Sequence, residues 1–351
     1  MADTSHLKAI DLLTPIWQWV LQRSQVPPDG NFFDLGGDFR KAVQLFQEIN
    51  KVSGLNLPVL LICQAPTIAT LVPFLEGRNL PAVPPSFLLR DGPFQPPVFI
   101  THGLGSSVLE FVQLARHIEF QHPFYGLQAK GTDGLEEPLD RIEAMAQFHI
   151  AEIRRIQPHG PYFLLGYSLG GLVAYEIARQ LVTQGETIAL LASIEGYPYL
   201  RFVSLGQQLQ VRARVAKYHA QAMWHMPIPK AFSYLLHPAE RQLYESLQRG
   251  RQDGFQMPEL SAIAPGMPRV REAGYLALQR YRPGKYPGAL QFVIAESRLH
   301  FPDNPRVFWA PLVGAYEEET VRGDHFGVLA VHFVDLAKAL SRYLRAAEAI
   351  L

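Results

Sequence analysis

The chain has 351 residues, 48% of them hydrophobic, which is enough to bury a large core and favours two domains. Its 32 basic side chains balance 32 acidic ones, so no overall field draws it to nucleic acid or to an acidic membrane surface. Cys63 is the only cysteine, which excludes an internal disulfide and a thiolate zinc cluster and points to a reducing compartment. The first residues carry no basic stretch leading into an apolar run, and no later segment reaches the roughly 18 apolar residues of a membrane span, so a cytoplasmic location is expected.

In chain order, "HLKAIDLLTPIWQWVLQR" predicts an amphipathic helix, with a break at Pro15 if the proline interrupts it. "VPPDG" is a loop. In "GGDFRKAVQLFQEINKVSG", Asp38 is placed to cap a helix whose Ala42, Val43, Phe46 and Ile49 recur at helical spacing before Gly54 ends it. "TIATLVPFL" supplies another, so residues 7–78 are expected to form a bundle of three or four helices. Residues 79–95 are proline-rich and read as a semi-rigid linker.

From residue 96 to 351 the pattern changes. "PVFITHG", "FYGLQA", "YFLLGYS", "IALLASIEG" and "LQFVIAE" predict buried strands, and amphipathic helices lie between and after them, which implies parallel pairing in an α/β fold. About 199–285 breaks the rhythm, being helical and rich in aromatic residues and methionine. It is expected to be a lid, with Met223, Trp224, Met226 and Phe232 as candidates for an apolar acyl channel or for plain core.

"YFLLGYSLGG" places Gly166, Ser168 and Gly170 in G-x-S-x-G between a strand and a helix. A nucleophile on so tight a turn needs small neighbours, and its hydroxyl stands over amides that favour an oxyanion. A serine hydroxyl needs a base, and His325 in "ETVRGDHFGVL" lies far along the chain before the final helix, matching the Ser…acid…His order of α/β-hydrolases. For the acid, Glu195 at the end of "IALLASIEG" ranks first, then Asp303, then Glu296; Asp324 is expected to cap its loop. The amides of Leu169 and of Leu104, in "THGLGSS", are the candidate oxyanion donors. "GLGSS" lacks the third glycine of a dinucleotide fingerprint and the Lys-Ser/Thr of a P-loop, and no histidine has zinc-ligand spacing, so no metal is expected.

"LRDGPFQPPVFITHGLGSSVLEFVQLARHI", "FYGLQAKGTDG", "YFLLGYSLGGLVAYEIARQL" and "RGDHF" resemble the thioesterase domains that end nonribosomal peptide and polyketide synthases. The resemblance implies an α/β-hydrolase fold and release of an acyl or peptidyl chain from a phosphopantetheine thioester, by hydrolysis or cyclisation. It also supports Glu195, although the family pattern usually has aspartate there. Residues 7–78 resemble the carrier protein preceding such a thioesterase, with "NFFDLGGD" as its loop. In that pattern the next residue is the serine that bears 4′-phosphopantetheine; here it is Phe39. No covalently bound cofactor is therefore expected, the pantetheine arm belonging to a partner acyl carrier, an upstream synthase module or a thioester substrate. A degenerate carrier kept for packing or docking is the first explanation of Phe39. The others are a deliberate substitution and a ring that enters the thioesterase mouth. A general serine esterase with an accessory domain, or an inactive docking module, are the alternative functions.

Overall fold

The computed structural model describes residues 4–224 and 259–351, with side chains described from residue 9 onward. The N-terminal bundle consists of α1 (Thr4–Leu21), α2 (Phe39–Ser53), a 3-10 turn (Val59–Cys63) and α3 (Ile68–Leu75). α1 runs through Pro15 without a break, because its buried face, Leu13, Trp17, Val20 and Leu21, holds it against the other helices. That packing outweighs the one amide hydrogen bond the proline removes. Asp38 caps α2 by accepting from the Lys41 amide at 2.8 Å, and Gly54 ends it in the left-handed conformation at φ 71°.

The loop before α2 is held by hydrogen bonds within itself. The Asn31 side chain accepts from the Phe33 amide at 2.9 Å, and the Gly37 amide donates to the Phe32 carbonyl at 2.8 Å. Phe32 is buried edge-on against Trp17, with ring centroids 5.3 Å apart. Residue 39 is thereby presented at the start of α2 in one fixed direction.

The remainder is built on a seven-stranded sheet: β1 (Ser86–Arg90), β2 (Val98–Thr101), β3 (Phe124–Leu127), β4 (Tyr162–Tyr167), β5 (Ile188–Ile194), β6 (Tyr286–Ala295) and β7 (Val313–Val321). The order is β1-β3-β2-β4-β5-β6-β7, with β1 antiparallel to β3 and every other pair parallel. The five expected strands are β2 to β6. β1 lies inside the stretch read as linker, and β7, with Glu317, Glu318 and Glu319, is too polar to announce itself as a buried strand.

Alternate residues of the central strands enter different cores. Phe163 and Leu165 of β4 pack with α4 (Val112–His117) and the final helix (Phe333–Glu348), whereas Tyr162 and Leu164 pack with α5 (Ile142–Ile156) and α6 (Leu169–Thr183). β4 and β5 are parallel neighbours in register to their last residues, Tyr167 opposite Ile194. Ser168 and Glu195, one step beyond each, therefore emerge side by side at the carboxyl edge of the sheet. Within the expected lid the described residues form α7 (Leu205–Trp224), a short helix (Leu260–Ile263) and a longer one (Met267–Arg280). Met226 and Phe232 lie outside the described residues. No described helix is long and apolar enough to cross a membrane.

Candidate active site

Ser168 occupies the step between β4 and α6 with φ 56° and ψ −121°, a left-handed conformation rare for a residue with a side chain. Its amide is fixed to the Ile194 carbonyl at 2.8 Å. The flanking glycines permit this turn because there is no room for anything larger. A Cβ on Gly166 would lie 2.1 Å from the Gly170 carbonyl oxygen, and one on Gly170 would lie 2.2 Å from that of Thr101. The strain is held by packing from both sides.

Three side chains from three loops meet here. His325 Nε2 lies 3.0 Å from Ser168 Oγ, and His325 Nδ1 lies 3.2 Å from Glu195 Oε2. The other Glu195 oxygen accepts from the Ala295 amide at 2.8 Å and from the Tyr197 hydroxyl at 3.2 Å. The Glu195 side chain is fully enclosed, so each of its oxygens is used. Glu195 itself stands in a left-handed conformation at φ 54°. The other candidate acids are elsewhere. Asp303 is paired with Arg214, and Glu296 is exposed. Asp324 accepts from the Gly327 amide at 2.7 Å within its own loop.

The segments carrying the candidate oxyanion donors lie beside the serine. Leu169 opens α6, so its amide is among those at a helix start that lack an intrahelical acceptor. The loop containing Leu104 passes close by, since a Cβ on Gly103 would come within 3.2 Å of Ser168 Cβ. That loop is anchored by Thr101 Oγ1, which donates to the Gly170 carbonyl at 2.6 Å, and by the Gly103 amide, which donates to Ser106 Oγ at 3.0 Å.

Sequence reasoning missed the support around His325. The Tyr167 hydroxyl donates to the His325 carbonyl at 2.6 Å, and its ring lies stacked against the imidazole at a centroid distance of 5.2 Å. Phe301 covers another side at 4.5 Å. Tyr167 adjoins the nucleophile and could have been read from "GYS"; Phe301 gave no local signal. Behind Tyr167 lies Glu110, whose Oε1 is closed to solvent and unpartnered among the described residues. Burial pushes its pKa from 4.5 up to about 8, against the opposing effect of a hydrogen bond from the Ser107 backbone. The native protein thus holds this proton where the unfolded chain releases it, and stability is lost as pH rises from 4.5 through 8. Glu110→Gln is expected to remove that loss, so its denaturation midpoint, compared with wild type, should gain more at pH 8 than at pH 5.

A cavity opens beside Leu169, lined by Met145, Phe148, His149, Val173, Val270 and Gly274, with Ala129 and His102 also on its wall. His102 is neutral in this burial: its Nε2 accepts from the Ala129 amide at 3.0 Å, which leaves Nδ1–H to donate to the Gly103 carbonyl at 2.8 Å. His149 is buried with Nδ1 unpartnered among the described residues, and burial, with His102 nearby, pushes its pKa down to about 3. Met223 and Trp224 do not line this cavity, and Trp224 stands 87% exposed at the end of α7.

Phe39 is half-buried rather than exposed, and it packs against Ile263, Met267 and Val270 of the helices over the site. Its side chain offers only carbon where a phosphopantetheine arm would need an oxygen. Ser53 is at the far end of α2, about 21 Å along the helix, and Ser24 follows α1 on another loop. The residues present therefore do not fit the prosthetic group. Treatment with coenzyme A and a phosphopantetheinyl transferase is expected to leave the intact mass unchanged, and a gain of one pantetheine arm on residues 4–75 would refute this.

Residues 96–344 match the family described as Thioesterase domain, and residues 11–75 match that described as Phosphopantetheine attachment site. The chain is 39% identical over 189 residues to a dimodular nonribosomal peptide synthase of Bacillus subtilis (strain 168), covering 54% of this chain and 8% of that protein. It is 38% identical over 187 residues to an indigoidine synthase of Dickeya dadantii (strain 3937), covering 53% and 13% respectively. The chain thus spans only a small part of the length of these relatives. Among solved structures, a four-domain nonribosomal peptide synthetase bound to AMP and glycine aligns with 95% of this chain and 26% of its own, at 23% identity and a TM-score of 0.58. The type II thioesterase BorB of the borrelidin cluster aligns over 76% of this chain and 100% of its own, at 18% identity and a TM-score of 0.53. At such identities these structures show the fold. With the family match covering most of its length, the chain belongs to the thioesterase family of α/β-hydrolases and carries a carrier-type helical unit ahead of it.

Proposed function

We propose that this chain is a serine thioesterase that releases an acyl or peptidyl chain from a pantetheine thioester presented by a separate carrier or an upstream synthase module. The observation that supports it most is the continuous contact from Ser168 Oγ through His325 to a fully enclosed Glu195, at 3.0 and 3.2 Å. In this reading His325 Nε2 takes the serine proton as Oγ attacks the thioester carbonyl, and Glu195 stabilises the imidazolium and fixes its tautomer. The Leu169 and Leu104 amides receive the developing oxyanion. Collapse of the tetrahedral species expels the thiol, which takes the proton from His325, and leaves an ester on Ser168. Water, or a nucleophile within the acyl chain, then attacks that ester with His325 again as base.

The test is a comparison of the same acyl group as a pantetheine thioester and as a simple aryl ester. The reading requires a higher kcat/KM for the thioester. Preference for the simple ester would favour a general esterase with a fused accessory domain.

A further inference from the structure

Position 39 offers no oxygen for an arm, and the bundle rests on helices that border the cavity beside Leu169. Three contacts hold it there. The α2-preceding loop sits on α4, where Gln113 Nε2 donates to the Gly37 carbonyl at 3.0 Å, and Arg116 donates to the Phe33 carbonyl at 2.6 Å and pairs with Asp34. The 3-10 turn Val59–Cys63 packs on Leu260–Ile263. Phe39 lies on Ile263, Met267 and Val270, in a cluster that also includes Ala129. Val270 and Ala129 are wall residues of the cavity beside Leu169 as well, so the ring covers apolar surface continuous with that cavity.

Resting on the function proposed above, we infer that the bundle is a built-in occupant of the thioesterase's carrier-docking surface, anchored by Phe39, and that a separate acyl carrier delivers its chain by displacing it. A serine at position 39 would leave this cluster short of a large apolar side chain. Phenylalanine both abolishes attachment and fills the contact, which is the combination expected of an occupant and not of a carrier. The incoming partner is thus a helical carrier with an acidic residue opposite Arg116 and an acylated arm in place of the ring.

The full-length chain and its Phe39→Asp, Phe39→Leu and Asp34→Lys variants provide the test; all the changes are on the bundle and leave the thioesterase surface native. Hydrogen exchange at 112–117 and 260–270 is expected to be slow in wild type and Phe39→Leu, and at least about tenfold faster in Phe39→Asp and Asp34→Lys, as set by the opening equilibrium. Equal exchange in wild type and in both charged variants would overturn the docking. With the acyl group on a separate holo-carrier, kcat/KM is expected to rise at least about tenfold in the two charged variants, while a small acyl-cysteamine thioester changes less than about twofold. Turnover of the small thioester with no gain on the carrier-bound one would overturn the displacement. If neither substrate is turned over by any variant, the thioesterase reading itself fails, and the exchange rates alone decide whether the bundle is docked.

Discussion

Replacing His325 by alanine is expected to lower kcat/KM for a pantetheine thioester by roughly 10^6-fold, with little change in melting temperature. The reason is that, among the described residues, the base hydrogen-bonded to Ser168 Oγ is the imidazole at 3.0 Å. A neutral hydroxyl without a base is a poor nucleophile, and what remains after its loss is binding and whatever the amides of Leu169 and Leu104 contribute. Glu195→Gln should be milder, roughly 10^4-fold. Its amide oxygen can keep the hydrogen bonds from the Ala295 amide and the Tyr197 hydroxyl, at 2.8 and 3.2 Å, only by turning its NH2 toward His325. That donor would select the imidazole tautomer with Nε2 protonated, which cannot accept from the serine. Equal losses in the two variants, or a loss accompanied by unfolding, would contradict this division of roles.

Gly170→Ala should be as damaging to the fold as His325→Ala is to the chemistry. The added methyl would lie 2.2 Å from the Thr101 carbonyl oxygen and 2.5 Å from that of His102, and both are backbone atoms of β2 and its following loop. Neither can turn aside as a side-chain end would, so α6 must part from β2. The hydrogen bond from Thr101 Oγ1 to the Gly170 carbonyl, 2.6 Å, is lost in the process. A destabilisation of about 3 kcal/mol is expected, together with loss of turnover, because Ser168, Leu169 and the Leu104 loop all take their positions from this contact. Gly206→Ala is the control. It lies in α7 with nothing within 4 Å of the new Cβ and an ordinary backbone conformation, so alanine should be neutral or stabilising by up to about 1 kcal/mol. Chemical denaturation of the two variants separates the outcomes.

Much of the site was legible because local pattern and chain order carry it. The glycine spacing around Ser168 reports a close backbone approach, and Glu195 follows from ending the strand after the nucleophile helix, since parallel neighbours bring their ends to one edge. Asp303 and Glu296 could not be set aside from sequence, because which of three carboxylates reaches His325 depends on loop paths fixed only by tertiary packing. β1 was hidden by surrounding prolines, and β7 by its glutamates on an exposed edge. The aromatic enclosure of His325 by Tyr167 and Phe301 joins residues from separate loops, and no periodicity reports such contacts. Phe39 was conspicuous as a residue, but its half-burial is set by helices more than 200 positions later in the chain.

The most direct measurement is rapid quenching of the protein with an acyl-pantetheine thioester, followed by intact mass and peptide mapping. The account predicts one acyl group gained in wild type, on the peptide containing Ser168, and none in Ser168→Ala. Thioester turnover by Ser168→Ala, or an acyl group mapped to any other side chain, would contradict it.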